Sequence, residues 1–144
     1  MKRLANFVLL FALITSNYAF SAERSPIARL ALDAVNSAYD QGGLTLVKAV
    51  IKDCYKDDLS GIYCIYMDTV GRQIDIAAVG SHKIPRDPHF EDDQFLARVG
   101  PPLVKANLNM IEANAFLQKC SQEIDSELNL LAKEWVDEQI RNDG

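Results

Sequence analysis

The chain has little from which a reaction could be assembled. Histidine occurs only at His82 and His89, and neither has a second histidine or a cysteine three or four residues away. No helical pair of that kind is available to grip a metal. There is no CxxC, HExxH or G-x-S-x-G motif, and no phosphate-loop or dinucleotide fingerprint. Outside the first twenty or so residues, no apolar run approaches the roughly 20 residues that a membrane-spanning helix needs. Basic residues are outnumbered, with 15 Lys and Arg against 20 Asp and Glu. An acidic surface excludes nucleic acid and anionic membrane as natural partners, because both reward Lys and Arg contacts. There is no internal repeat and no low-complexity linker. The expectation is a binding protein rather than an enzyme, with no cofactor, no metal and no membrane insertion.

What is present begins with residues 1–21, which have the layout of a signal peptide. Lys2 and Arg3 are a basic start, residues 7–14 are apolar, and Ala19 and Ser21 are small residues at −3 and −1 of a cleavage site. The scissile bond is expected after Ser21. The next choice is after Ala22, which would put bulky Phe20 at −3. No lipobox cysteine accompanies the site. Removing the segment leaves one domain, residues 22–144, of a size that can bury a real core. It then carries 13 basic and 20 acidic residues, a balance of −7. The layout is bacterial and the expected location is the periplasm.

The rest of the chain reads as helix. Ser25 and Pro26 are an N-cap and first helical residue, and Gly42-Gly43 is an expected stop. A second helix is predicted from about Thr45 to Lys56. Residues 59–79 are ambiguous, because Ile62 to Tyr66 favours strand while Tyr66, Val70, Ile74 and Ala77 recur at helical spacing. The reading is helix, with a β-hairpin as its rival. Residues 81–91 are a loop braced by Pro85 and Pro88. Acidic residues at Glu91, Asp92 and Asp93 suit the first turn of a further helix. Gly100-Pro101-Pro102 should kink or interrupt it. Asn109 and Glu112 have capping-box spacing. Leu117, Cys120, Ile124, Leu128, Leu131 and Trp135 form an apolar stripe on one long helix, or on two with a break near residues 121–126. The fold class is all-α, a single domain of five to seven helices.

Three cysteines, Cys54, Cys64 and Cys120, remain after processing. In an oxidising compartment two of them should pair. Cys54 and Cys64 lie symmetrically about a turn between two helices, so they are the first choice. Cys54 with Cys120 is the rival, and three free thiols the third reading.

Taken together, the exported start, the helical reading and the acidic balance resemble a known class. The helix pair carrying IKDCYKDDLSGIYCIYMDTVGRQID adds to the likeness. That class is the small periplasmic immunity proteins kept by bacteria against peptidoglycan-degrading effectors of type VI secretion. The resemblance implies a homodimer that blocks the active cleft of a cognate cell-wall hydrolase with a loop or helix end. A lysozyme-like glycosidase is preferred as target over an amidase. The expected insertion element is residues 84–93, with Phe90 as apolar anchor and His89, Glu91, Asp92 and Asp93 as the other partner-binding residues. The alternative is a periplasmic chaperone or adaptor with an apolar groove.

Export gives the first prediction. N-terminal sequencing of the exported protein should return a chain beginning at Ala22 or Glu23. An intact Met1 on cytosolic material would refute the signal.

Overall fold

The computed structural model describes residues 24–57, 60–82 and 84–142; the signal segment and its cleavage site lie outside them. The described residues form four α-helices: α1 (Pro26–Asp57), α2 (Ile62–His82), α3 (Asp92–Lys105) and α4 (Met110–Asn142). A 3-10 turn, Pro88–Phe90, precedes α3. No strand occurs among them, so the all-α class holds and the hairpin alternative for residues 59–79 falls.

The expected five to seven helices are four, for three local reasons. Gly42-Gly43 does separate two helical runs, as expected, but they join across a kink into the one element Pro26–Asp57. Gly43 alone leaves helical geometry (φ 61°, ψ −158°), and the chain re-enters the helix at once. Glycine tolerates this excursion at little steric cost. Gly100-Pro101-Pro102 does not break α3, because the lost N–H donors fall near its end and Val99 and Leu103 on either side are buried. Residues 121–126 do not break α4, because buried Cys120, Ile124 and Glu127 keep one continuous face against the bundle.

α2 is the centre of the molecule. Every residue from Cys64 to Gly71 is buried. A helix enclosed by its neighbours needs no polar face, which is why its sequence looked strand-like over Ile62 to Tyr66. α1 packs along it through Ala28, Ala31, Leu32, Val35 and Ala38, and beyond the kink through Val47 and Ile51. Cys54 of α1 and Cys64 of α2 form a disulfide, Cα–Cα 5.6 Å, matching the first-choice pairing. Closing so short a loop contributes about 2–3 kcal/mol on chain-entropy grounds. Cys120 is free and buried on α4.

The helix ends are tied as the sequence suggested. The Ser25 hydroxyl accepts from the Ala28 N–H (3.4 Å) and donates to Glu123 (3.0 Å), while the Ser25 N–H donates to Glu127 (2.7 Å). The start of α1 is thereby fastened to the middle of α4. Asn109 and Glu112 form a reciprocal box: the Asn109 side chain accepts from the N–H groups of Ile111 and Glu112, and Glu112 accepts from the Asn109 N–H.

Gly61 makes the turn into α2 at φ +71°, and a Cβ there would lie 2.6 Å from Cγ of Pro102. α3 can approach only because the side chain is absent. Phe90 is fully buried, the largest side chain so enclosed. A Cβ on Gly71 would lie 2.8 Å from the Phe90 ring and 2.8 Å from Ile51, so the aromatic ring occupies the space that this glycine leaves on α2.

Phe90→Ala should therefore cost about 3–5 kcal/mol of unfolding free energy, the usual penalty for emptying an aromatic site in a packed core. Urea denaturation of the oxidised protein measures it. A variant as stable as the parent would show that the loop is not seated in the core.

Candidate partner-binding loop between α2 and α3

The segment joining α2 to α3 is held by a row of charged residues on α2. Asp68, Arg72 and Asp75 follow one another at spacings of four and three, which places them on one face of the helix. Asp68 and Asp75 are at 0% and 1% exposure. A buried carboxylate without partners would cost several kcal/mol, so each recruits donors from the segment opposite.

Asp75 accepts from the Asp87 N–H (3.0 Å) and from Nε of Arg86 (3.3 Å). Arg86 also donates to the Phe90 carbonyl (2.6 Å), closing a link from α2 through the loop to its buried aromatic. Asp87 then accepts from Lys48 of α1 (2.6 Å) and from the His89 N–H (3.0 Å), capping the 3-10 turn. Burial pushes the Asp87 carboxyl upward, but Lys48 and the His89 N–H outweigh it and hold the pKa below the ordinary value. Asp68 is bound bidentately by Arg98 of α3 (2.8 and 2.9 Å) and accepts from the Tyr55 hydroxyl (3.2 Å). Burial, and then the Asp68 charge, raise the Tyr55 pKa. Arg72 binds Asp92, and its guanidinium lies 4.9 Å from the centre of the Phe95 ring.

These bonds distribute the expected partner-binding residues unequally. Phe90 is a core residue, so it is not the exposed anchor that the loop was expected to offer. The apolar side chain the loop does expose is Ile84, at 44%. His89 is half-buried, packed edge-on against the Phe90 ring at 4.8 Å, and its Nε2 has no hydrogen-bond partner. Glu91, Asp92 and Asp93 are exposed at the start of α3. Asp92 is engaged by Arg72, with Arg86 3.9 Å away. Asp93 accepts from the Gln94 N–H (2.8 Å), and Glu91 makes no side-chain capping bond. The loop thus presents Ile84, Glu91 and Asp93 outward from a fastened base. Lys48, Asp75 and Arg86, which do the fastening, were not singled out from sequence. The available signal was the charged row Asp68, Arg72 and Asp75 at spacings of four and three in a mainly apolar helix.

Beside the loop, α2, α3 and α4 enclose an open groove of about 610 Å³. Its apolar lining includes Ile76, Phe95, Leu96 and Leu117, and glutamines 73, 118 and 122 line its polar walls. Across the bundle the Tyr66 hydroxyl donates to Glu123 (2.5 Å); burial first, and this bond second, raise the Tyr66 pKa. Burial likewise pushes the Cys120 thiol up to about 12, so it stays protonated and unreactive at neutral pH. Among the described residues no group of three or more His, Cys, Asp and Glu is placed to hold a metal ion. No helix among them is long and apolar enough to cross a membrane.

His89 gives a pH prediction. Burial, followed by the Arg98 charge, lowers its pKa below 6.5, while Asp68 and Asp87 oppose the shift. The unfolded chain therefore takes up a proton at a higher pH than the folded one. Stability should fall as pH drops through 6.5 toward the folded pKa. His89→Gln should flatten that slope in denaturation curves taken across the window. His82 is common to both proteins, so the difference isolates His89. Identical slopes would refute the assignment.

Comparison with protein-family models, with curated proteins and with solved structures finds no match to this chain.

Proposed function

We propose that the mature protein is an exported inhibitor of a peptidoglycan-degrading toxin, an immunity protein that works by occlusion and carries out no catalysis of its own. The observation that carries this reading is the fastened loop. Asp75, Lys48 and buried Phe90 hold its base, and Ile84, Glu91 and Asp93 stand out from it. A segment ordered before binding loses little entropy when it enters a cleft. The acidic balance supports the same reading, because an acidic inhibitor is steered toward a basic hydrolase and can offer carboxylates to its cleft. A lysozyme-like glycosidase is the preferred target and an amidase the second.

One observation favours a different class. The groove between α2, α3 and α4, with Ile76 at 48% and Leu96 at 55% exposure, suits a chaperone or adaptor that holds apolar segments of envelope proteins.

The experiment is co-purification and inhibition with the wall hydrolase encoded beside this gene. Stoichiometric binding that stops peptidoglycan cleavage is the expected outcome. Glu91→Ala and Asp93→Ala should each weaken inhibition by about 1–3 kcal/mol, and salt should act mainly on the association rate. Phe90→Ala is unsuitable as an interface probe, since it empties the core. Absence of binding and inhibition with the parent protein would sink the immunity reading. Broad binding to unfolded clients would then favour the chaperone.

A further inference from the structure

With Phe90 in the core, the acidic loop is left without a large aromatic anchor, and tight interfaces centre on buried apolar anchors. The most exposed large apolar side chains lie elsewhere. Val104 is 72% exposed, and Met110 and Ile111 are 81% exposed. All three flank one turn, since α3 ends at Lys105 and α4 begins at Met110.

That turn satisfies its own backbone. The N–H groups of Ala106, Asn107 and Leu108 donate to the carbonyls of Pro102 (3.0 Å), Val104 (2.9 Å) and Leu103 (3.2 Å), which closes the end of α3. Asn107 takes the left-handed conformation, φ 58°, that this closure requires. On the other side the Asn109–Glu112 box ties the first N–H groups of α4. Residues 106–111 carry no charge, and the carboxylate of Glu112 is held by the Asn109 N–H. Drying such a tip leaves few polar groups stranded, while burying its side chains removes apolar surface from water.

The tip shares a face of α3 with the acidic knob. Asp93, Leu96, Gly100 and Val104 follow at spacings of three, four and four. Leu96 is 55% exposed, and a Cβ on Gly100 would meet nothing within 4 Å. Asp93 and Val104 are thus three turns apart, about 16 Å along the helix. An ordinary protein interface, about 800 Å² on each side, reaches across that distance. One partner can therefore touch a carboxylate at the start of α3 and an uncharged apolar tip at its end.

We propose that the turn between α3 and α4 is the apolar anchor of the interface to which Glu91 and Asp93 belong. The wall hydrolase accepts Met110 and Ile111 in an uncharged apolar depression, about 16 Å from the basic groups that meet the carboxylates. The inference rests on the inhibitor reading and divides its labour: the acidic end steers the approach and the apolar tip holds the complex.

The test is binding kinetics of the mature protein with the hydrolase encoded beside its gene, at low and high salt. Met110→Ser combined with Ile111→Ser should speed dissociation about thirtyfold and leave association nearly unchanged. The loss should be the same at both salt concentrations, unlike that of Glu91→Ala and Asp93→Ala. The helical spectrum and urea midpoint should match the parent, because both side chains stand mostly in solvent. A parent that binds the hydrolase beside a double variant that dissociates at the parent rate overturns this proposal alone. A loss confined to association and erased by salt overturns it too, since the tip would not be a desolvated anchor. So does a parent dimer that the double variant turns into a monomer, because a second copy would then cover the tip. A parent that binds no hydrolase removes the inhibitor reading and this anchor with it.

Discussion

The structure depends on pairing two carboxylates buried on a helix whose central turns are enclosed on every side. α2 is enclosed by α1, α3 and α4 over Cys64 to Gly71, yet it carries Asp68 near the middle of that stretch and Asp75 one turn beyond it. Neither carboxylate can be buried there without hydrogen-bond partners. Each draws an arginine inward, Arg98 from α3 and Arg86 from the loop. Such pairs are poor sources of net stability, since desolvation consumes much of the Coulombic gain. Losing one partner would cost far more than the pair contributes. Their consequence is positional: residues 84–98 can settle over α2 in only the register that serves both aspartates.

The loop's character follows from that register. With Arg86 and Asp87 drawn to Asp75, the chain between them and α3 must turn tightly, and Pro88–Phe90 does so as a 3-10 turn capped by Asp87. The turn directs Phe90 into the space above Gly71. Once Phe90 points inward, Glu91 and Asp93 have only solvent to face. The acidic knob and the buried aromatic are therefore two results of one constraint. The knob is presented by a stiff support, the condition under which exposed carboxylates contribute most to recognition.

α3 has different surroundings on its two sides. Toward α4 it leaves a groove with an apolar floor and amide walls; toward α1 it borders a basic hollow walled by its own prolines. The difference arises because α3 is short and anchored at both ends. Phe95 and Arg98 hold it to α2, and Leu103 with Pro102 against Gly61 hold its far end. α4 meanwhile runs past it and packs mainly on α1 and α2. The Cys54–Cys64 bridge and Gly61 lie at the same end as the basic hollow, so a disulfide and the close Gly61–Pro102 contact both hold that end.

Much of this was legible in the sequence. Ser25-Pro26 marked the start of α1, Asn109 and Glu112 capped α4, and the stripe from Leu117 to Leu131 described its buried face, because capping and periodicity are local and survive any packing. The cysteine pair was readable from symmetric spacing about one turn. Helix count was not. Whether Gly43 ends a helix or only bends it, and whether Pro101-Pro102 interrupts α3, depends on what buries the residues on either side. The fate of Phe90 was equally beyond local reading. A phenylalanine beside three acidic residues in a Pro-braced loop looks exposed, and it becomes core only because Gly71 leaves a space on α2 and Asp75 draws in the residues before it. Sequence by itself pointed to the all-helical class, to the caps at Ser25 and Asn109 and to the first-choice disulfide, since each rests on residues close along the chain. Tertiary structure alone decided which side chains of the loop face solvent and which the core, because that depends on a buried aspartate and a glycine more than ten residues away.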